Sequence, residues 1–413
     1  MNKDLNKSSR DYTRSLLLGA LVGVGLALVF SAGFFLRDFI DVPQTALASS
    51  VDIGEAGYPL VDEVEGLLER HYLRELPDYR ERQYAAVRGM LASLEDPNTF
   101  FIDPPVARSE SDVLAGTYGG IGVSLQRDVE GRFVLYPFED GPAAEAGLQG
   151  GDVLVEINGE PLSLDTQQDA VDQMLRGEVD GDNGVEVTIE REGDSVTEFI
   201  EFDVIAVPSV LWRVLDEDQR IGYMQILRFT SRTPDELQTA ITELRDTDVN
   251  ALIIDLRDNS GGLLTESVDV ASIFLDGGVV LYEVTNDSET TLSADRGGAA
   301  TDLPLAVLVN NRTASASELV AGALQDRERA ILIGQRTFGK GTIQQIFPLS
   351  DESSVHVTSA EWFTPNRNAL DRIGLEPDIP MIPDENGRDV EIGEAIRYLQ
   401  ATLSEEQEEE TNS

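Results

Sequence analysis

The sequence of 413 residues contains no cysteine, two histidines and three lysines. Without cysteine, the chain has no disulfides, no thiolate nucleophile and no cysteine metal ligands. The two histidines, His71 and His356, are far apart, and the sequence has neither a His-Glu-x-x-His nor a Gly-x-Ser-x-Gly motif. Cysteine–histidine catalysis and a histidine-rich metal site are therefore excluded, and the sequence predicts neither a metal nor a cofactor.

Basic residues are also scarce. The chain has 76 acidic and 31 basic residues, which gives a formal net charge of −45. Such a surface repels nucleic acid and anionic lipid head groups, so we expect neither as a partner. The length is too great for one ordinary domain and is typical of two or three domains.

One long apolar run stands near the N-terminus. Residues 16–36 are uncharged and mostly apolar, and as a helix they would span ~30 Å, the thickness of the hydrocarbon core of a bilayer. Four basic residues lie between positions 3 and 14, which predicts a cytoplasmic N-terminus. The alternative is a cleaved signal peptide ending at the Ala-Leu-Ala of residues 46–48. The run is long for a signal peptide and favours an uncleaved single-pass anchor in the cell membrane. Either reading puts the remaining chain outside the cytoplasm.

A small module lies between residues 111 and 208. GPAAEAGLQGGDVLVEINGE (141–160) predicts a short helix, a strand and a turn at Asn158-Gly159, and residues 166–177 predict an amphipathic helix. Together with GGIGVSLQ (119–126), this stretch resembles a PDZ domain. In PDZ domains the loop amides bind a C-terminal carboxylate, and the peptide adds a strand to the sheet. The resemblance places that loop at Gly120, Ile121, Gly122 and Val123.

From residue 209 onward, strand-like runs alternate with helical patterns, which predicts an α/β layer architecture. Two glycine-rich loops follow predicted strands, the first at 257–264 and the second within 310–324. The second loop leads into a helix, whose N-terminal N–H groups favour the negative charge that develops in acyl transfer. Serine at such a turn is more often a simple helix cap, so this loop alone does not establish catalysis.

Lys340 favours the catalytic interpretation. The other two lysines, Lys3 and Lys7, lie in the N-terminal tail, and arginine supplies 28 of the 31 basic residues (31 less three lysines). A serine nucleophile needs a base, and with histidine nearly absent lysine is the main candidate. Burial can bring the pKa of a lysine to ~7–8, whereas arginine does not give up its proton. An exposed loop lysine is the alternative.

A family resemblance extends from about residue 58 to residue 383. The chain resembles the carboxyl-terminal processing peptidases, also called tail-specific proteases. The motifs that carry the resemblance are GMLASLEDPNTFFIDP (89–104), RDNSGG (257–262), TASASE (313–318), TFGKGTIQ (337–344) and FTPNRNALDRIGLEPDI (363–379), with the PDZ module before the second of them. The resemblance implies a multidomain α/β protein with a crotonase/ClpP-like serine protease core.

The resemblance also assigns the site residues. It implies Ser315 as the nucleophile, Lys340 as the general base and Gln344 as the residue that orients the lysine. The oxyanion donors fall on the backbone N–H groups of Ala316 and Gly261. His356 has no role in this scheme, and we expect it to pack or to face solvent.

The predicted domains are a cytoplasmic tail (1–15), an anchor (16–36), a linker (37–57), a helical region (58–110), a PDZ domain (111–208), a peptidase core (209–387), and a C-terminal helix with an acidic tail (388–413). The expected function is a membrane-anchored, extracytoplasmic serine endopeptidase that recognises the C-termini of protein substrates. The resemblance implies a homodimer or larger homo-oligomer. Two alternatives are a PDZ-based binding scaffold without proteolysis and an α/β acyltransferase or esterase.

Overall fold

The computed structural model describes residues 58–181, 183–384 and 387–412. The predicted tail, anchor and linker (residues 1–57) lie outside these ranges. Among the described residues, no helix is both long enough and apolar enough to cross a bilayer. The chain divides into two compact units, residues 1–82 and residues 83–413.

The described part of the first unit is helical, as the apolar spacing predicts. Helix α1 (Pro59–His71) begins at a proline, which suits the first turn because proline lacks the N–H that would be left unpaired there. Helix α2 (Tyr79–Ala92) begins in this unit, where Arg82 forms an ion pair with Glu65 of α1. His71 is exposed at the end of α1, as expected for a surface histidine.

The PDZ module is built on an antiparallel sheet in the order β3-β4-β5-β7-β8, with β6 paired to β5. Asn158 and Gly159 have φ values of 51° and 77°, which suit the two-residue turn predicted between β5 and β6. The predicted helix over 166–177 is shorter than expected. The bounds are β2 (Thr117–Gly120), β3 (Val123–Arg127), β4 (Phe133–Pro137), α4 (Pro142–Glu145), β5 (Asp152–Ile157), β6 (Glu160–Pro161), α5 (Gln168–Met174), β7 (Gly184–Arg191), β8 (Asp194–Glu201) and β9 (Asp203–Ala206), with α3 (Pro104–Ala115) leading into β2.

The α/β core contains a six-stranded sheet in the order β10-β11-β12-β15-β16-β19, parallel except for the β10–β11 pair. All five residues of β12 are buried, as expected for a strand covered on both faces. The bounds are β10 (Val210–Val214), β11 (Ile221–Ile226), α6 (Thr233–Arg245), β12 (Ala251–Asp255), α7 (Leu264–Phe274), β15 (Leu305–Val309), α8 (Ala316–Asp326), β16 (Ile331–Gly334), β19 (Ile379–Pro380) and α9 (Val390–Asn412).

Alternating residues of the strands enter two different cores. Leu252 and Ile254 of β12 pack in the core shared with α6, α7 and α8, whereas Ile253 packs in a second core with Leu399 of α9. Helix α9 continues to Asn412 and so includes the acidic stretch that the sequence predicts as a solvated tail. Glutamate is a good helix former, so exposed glutamates extend a helix whose first turns are anchored in the core.

A second sheet of the core joins β1 (Phe100–Ile102), β18 (Ser354–Phe363), β13 (Gly278–Val284) and β14 (Glu289–Ala294), with β17 (Thr342–Pro348) also paired to β18. The chain passes from β16 of the parallel sheet to β17 of this second sheet through residues 335–341. Lys340 therefore lies in the loop that connects the two sheets.

Candidate active site

Ser315 lies in a strained turn between β15 and α8. Its φ of 58° and ψ of −121° are uncommon for a residue with a side chain, and such a conformation costs on the order of 1–3 kcal/mol. A strained strand-to-helix turn also presents the nucleophilic serine in α/β-hydrolases. Ser315 is half-buried, while its neighbours Ala314 and Ala316 are buried. The hydroxyl is thus presented at the N-terminus of α8.

The loop after β12 lies directly against this turn. A Cβ atom built on Gly261, whose φ is 102°, would stand 2.8 Å from Ser315 Cβ and 3.0 Å from the Ala316 nitrogen. These distances are shorter than van der Waals contact, so this close approach requires glycine. This close approach brings the serine turn before α8 into contact with the loop that follows β12.

Asn259 connects the two loops. This buried residue accepts hydrogen bonds at its backbone oxygen from the Ala314 N–H (3.0 Å) and from Ser317 Oγ (2.9 Å). Its side-chain Oδ1 accepts the N–H of Gly261 at 2.9 Å. The Gly261 N–H is therefore already paired, whereas the N–H groups of Ala316 and Gly262 donate to no group in the part of the chain that the structure describes.

Lys340 is half-buried, and burial lowers the pKa of its amine, while the charge of Glu110 raises it by a smaller amount. The amine donates to Oε1 of Gln344, and the Gln344 amide donates to the backbone oxygen of Asn98. Within the described residues, no hydrogen bond joins Lys340 Nζ to Ser315 Oγ. Hydrogen bonds of catalytic groups often form only when substrate is bound.

Glu318, three residues after Ser315, joins the serine turn to the lysine loop. Its side chain is fully buried, and Oε2 accepts the N–H groups of Ser315 and Lys340, both at 2.9 Å. Oε1 accepts Thr337 Oγ1 at 2.6 Å and the Gly339 N–H at 2.7 Å. Four donors on one carboxylate fix the backbone of both segments relative to each other.

The PDZ loop residues lie between β2 and β3, away from the serine turn in sequence and in a different sheet. The Ile121 N–H donates to the Leu175 oxygen at 3.2 Å, so this amide is paired within the module. Gly122 has a φ of 71°, and Val123 begins β3, which is an edge strand of its sheet. A cavity of about 320 Å³ opens beside this strand and is lined by Val123, Leu125, Asp172 and Arg176 among others.

Sequence reasoning placed Ser315, Ala316 and Gly261 in one site, and the structure brings these three together. It also places Lys340 against Gln344. The contacts of Glu318 and Asn259 and the backbone contact of Asn98 were not predicted from the sequence. A Ser-x-x-Glu sequence before an apolar helix is a capping-box signature, so Glu318 had a usable signal. The contacts of Asn259 and Asn98 depend on residues far away in the chain and had none.

Comparison with known proteins identifies the family of this chain. Residues 220–381 match peptidase family S41, and residues 133–190 match the PDZ domain. A carboxy-terminal-processing protease of Bartonella bacilliformis is 36% identical over 332 residues, which cover 78% of this chain and 75% of that protein. This chain belongs to peptidase family S41. The predicted resemblance to carboxyl-terminal processing peptidases is thereby confirmed.

Other S41 relatives extend the match. A carboxyl-terminal-processing protease of Synechocystis is 33% identical over 377 residues, which cover 88% of this chain and 85% of that protein. The solved structure of a photosystem II D1 C-terminal processing protease is 33% identical and covers 78% of this chain and 89% of that one, with a TM-score of 0.46. The sequence match to the S41 relatives thus includes the PDZ module and the protease core in the same chain.

Proposed function

We propose that this S41 peptidase is a serine endopeptidase with a Ser-Lys dyad. Ser315 is the nucleophile, Lys340 is the general base, and Gln344 orients the amine. One observation carries the proposal: Lys340 is half-buried with a lowered pKa, in a loop that the Glu318 carboxylate fixes to the serine turn. An amine in that setting can be neutral near neutral pH and can therefore accept a proton.

The reaction follows from these roles. Ser315 Oγ attacks the carbonyl carbon of a peptide bond while its proton passes to Lys340 Nζ. The tetrahedral intermediate collapses, and the leaving amine takes the proton from the ammonium group. Water then gives a proton to Lys340 Nζ as its oxygen attacks the carbonyl carbon of the Ser315 ester. The second tetrahedral intermediate collapses, and the Lys340 ammonium returns the proton to Ser315 Oγ, which restores the serine and the neutral amine. The new carboxylic acid loses its proton to solvent and leaves as a carboxylate.

The oxyanion of the intermediate needs two N–H donors. The Ala316 N–H at the start of α8 is unpaired among the described residues and supports the first assignment. Gly261 was the expected second donor, but its N–H donates to Asn259 Oδ1. We therefore assign the second donor to the adjacent Gly262, and we give Gly261 the role of allowing close approach to Ser315.

The PDZ module is proposed to bind the C-terminus of the substrate. Strand β3 is an edge strand beside α5 and a cavity, which is the arrangement needed for a peptide to add a strand. Because the Ile121 N–H is paired with Leu175, the carboxylate would be bound by the amides of Gly122 and Val123, at the end of the loop that begins at Gly120.

The setting of the enzyme is also a proposal. The apolar run at 16–36 and the basic residues before it support a single-pass anchor, with domains 58–110, 111–208 and 209–387 outside the cytoplasm. An apolar face of α1, which exposes Leu60, Val64 and Leu67, supports self-association as a dimer or larger oligomer.

Product analysis tests the proposed function. The full chain in detergent micelles is incubated with a disordered polypeptide that ends in apolar residues, and the products are identified by mass spectrometry. We expect two fragments with a new amino terminus and a new carboxylate. Binding without fragments would support a scaffold, and a transferred acyl group would support an acyltransferase; either result overturns the proposal.

A substrate with an amidated C-terminus tests the role of the PDZ module. Loss of the carboxylate removes charge-assisted hydrogen bonds worth ~1.5–3 kcal/mol, so we expect KM to rise roughly 10- to 100-fold with little change in kcat. The free acid of the same sequence is the control, and initial rates over a range of substrate concentrations give both constants. Equal KM values for acid and amide would exclude recognition of the carboxylate.

A further inference from the structure

His356 is buried in the core although it has no role in the proposed dyad. Its ring is 4% exposed and is stacked on Phe100, with ring centroids 4.7 Å apart. Its Nε2 atom lies 2.9 Å from Oε2 of Glu110 on α3, within hydrogen-bond range, but it makes no well-aligned hydrogen bond. The contact places a carboxylate of α3 against the second sheet of the core.

This pair lies on the same face of the sheet as the residue that holds Lys340. Ile346 of β17 is opposite His356 of β18, and Gln344 is opposite Thr358. Side chains two residues apart along a strand point to the same face, so Gln344 and His356 share one face. Glu110, which contacts His356 on that face, is also the carboxylate whose charge acts on the Lys340 amine.

The charged groups around this pair and the Lys340 amine come from several elements of the described chain. His356 is bordered by Phe100 of β1 and Ile346 of β17, so Glu110 is the titratable group that contacts its ring nitrogen. The backbone around Lys340 contacts Glu318 of α8, and the loop that follows β18 brings Asp371 and Arg372 to the flanking glycines. The Glu318 carboxylate accepts four hydrogen bonds, and the Asp96 carboxylate is bonded to Thr99. Glu110 is the acid whose charge acts on the Lys340 amine.

We propose that Glu110 is a positioning residue for the general base: held against His356, its carboxylate controls how readily Lys340 gives up its proton. The proposal rests on the proposed function. A negative charge stabilises the ammonium form and opposes the effect of burial. Glu110 touches neither substrate nor reacting atoms and acts through Lys340.

The position of Glu110 depends on α3. The same helix carries Arg108, which forms ion pairs with Glu352 after β17 and with Glu178 of the PDZ module. Helix α3 ends at Ala115 and is capped by Gly116, and β2 of the PDZ module begins at Thr117. The carboxylate near the general base is thus carried by the helix that leads into the PDZ module.

Selective labelling measures the amine directly. The chain has three lysines, so replacing Lys3 and Lys7 with arginine leaves one lysine, and ¹³Cε labelling then gives a single NMR signal. We expect Glu110→Gln to lower the midpoint of the Lys340 titration by about 0.5–1 pH unit, because the ammonium form loses its neighbouring charge. The acid limb of kcat/KM should move to lower pH by the same amount, since the neutral amine is the active form.

Glu352→Gln is the matched control, because it removes an exposed carboxylate that also contacts α3 but not His356. Its Lys340 midpoint should equal that of the wild type, and Glu110→Asp should restore most of the difference. A midpoint that is unchanged or raised in Glu110→Gln overturns the inference, whatever the activity. Proteolysis that survives Ser315→Ala would overturn the proposed function instead, and the NMR titration would still report on Glu110.

Discussion

Replacing Ser315 with alanine or Lys340 with arginine is expected to lower kcat by roughly 10⁴-fold or more, and the double variant should be no slower than either single variant. Ser315→Ala removes the attacking oxygen. Lys340→Arg keeps a long basic side chain, but the guanidinium stays charged and cannot accept a proton. Residues that act as one unit lose their whole contribution when either one is removed, so the two effects should not multiply.

The measurement is kcat on the disordered polypeptide, for the wild type, both single variants and the double variant in the full chain. Lys3→Arg and Lys7→Arg are the controls, because they make the same substitution in the N-terminal tail and should keep wild-type rates. A Lys340→Arg variant with near-normal kcat would show that another group accepts the proton. Effects that multiply in the double variant would show that the two residues act independently.

Residue type and local order are the basis for predicting Lys340 as the general base. The sequence uses arginine at 28 of 31 basic positions but has a lysine at 340, and arginine does not give up its proton. The structure adds a physical argument for the proposed role, since burial of the amine lowers its pKa. Burial depends on how the loop after β16 folds against the rest of the core, and one segment of sequence does not contain that information.

The geometry of the serine turn could be predicted only in outline. Strand, small-residue turn and helix were expected, and β15 and α8 confirm them. The strained backbone at Ser315 was not predictable, because local preference opposes it and surrounding contacts hold it. The pairing of the Gly261 N–H with Asn259 was not predictable either. The RDNSGG motif identified the loop, but it did not show which backbone amide of the loop is unpaired.

The fold followed the sequence most closely where one local signal dominated. Asn158-Gly159 predicts a tight hairpin turn and forms one, and the five buried positions of β12, four of them apolar, form a central strand. The acidic C-terminus was predicted from its charge to be a solvated tail, but it forms the end of α9. Charge indicates exposure to solvent, whereas helix propensity determines the backbone conformation. His356 packs in the core, which is one of the two expected outcomes. Its contact with Glu110 joins residues 246 positions apart (356 less 110) and had no local signal in the sequence.

Glu318→Gln should disconnect the lysine loop from the serine turn and lower kcat by roughly 100-fold or more. The carboxylate offers each oxygen to two donors, Ser315 and Lys340 N–H groups on Oε2 and Thr337 and Gly339 on Oε1. Glutamine keeps one oxygen and has an NH₂ group in place of the other. In either orientation of the amide, this NH₂ group points at two hydrogen-bond donors and can accept from neither. Two buried donors then lack an acceptor, at a cost of about 3 kcal/mol.

Hydrogen exchange separates this local effect from global unfolding. The amides of Gly339 and Lys340 should exchange roughly 100-fold faster in Glu318→Gln, since about 3 kcal/mol of local stability is lost, while amides of the β12 and β15 strands keep wild-type protection. Glu217→Gln, a change at an exposed glutamate of the same core, is the control for loss of one charge. Unchanged exchange at residues 339 and 340 would show that the loop is held by other contacts.

The expected loss of kcat in Glu318→Gln comes from a changed distance between the Ser315 hydroxyl and the Lys340 amine, because the substitution alters neither of these groups. Neither Ser315 Oγ nor Lys340 Nζ contacts the Glu318 carboxylate, which binds the backbone N–H groups of both residues instead. When that link is lost, the Ser315 hydroxyl and the Lys340 amine are chemically unchanged, but they are no longer held at a fixed distance from each other. A displacement of about 1 Å can lower the rate roughly 100-fold. A variant with faster exchange and normal kcat would therefore show that substrate binding alone aligns the dyad.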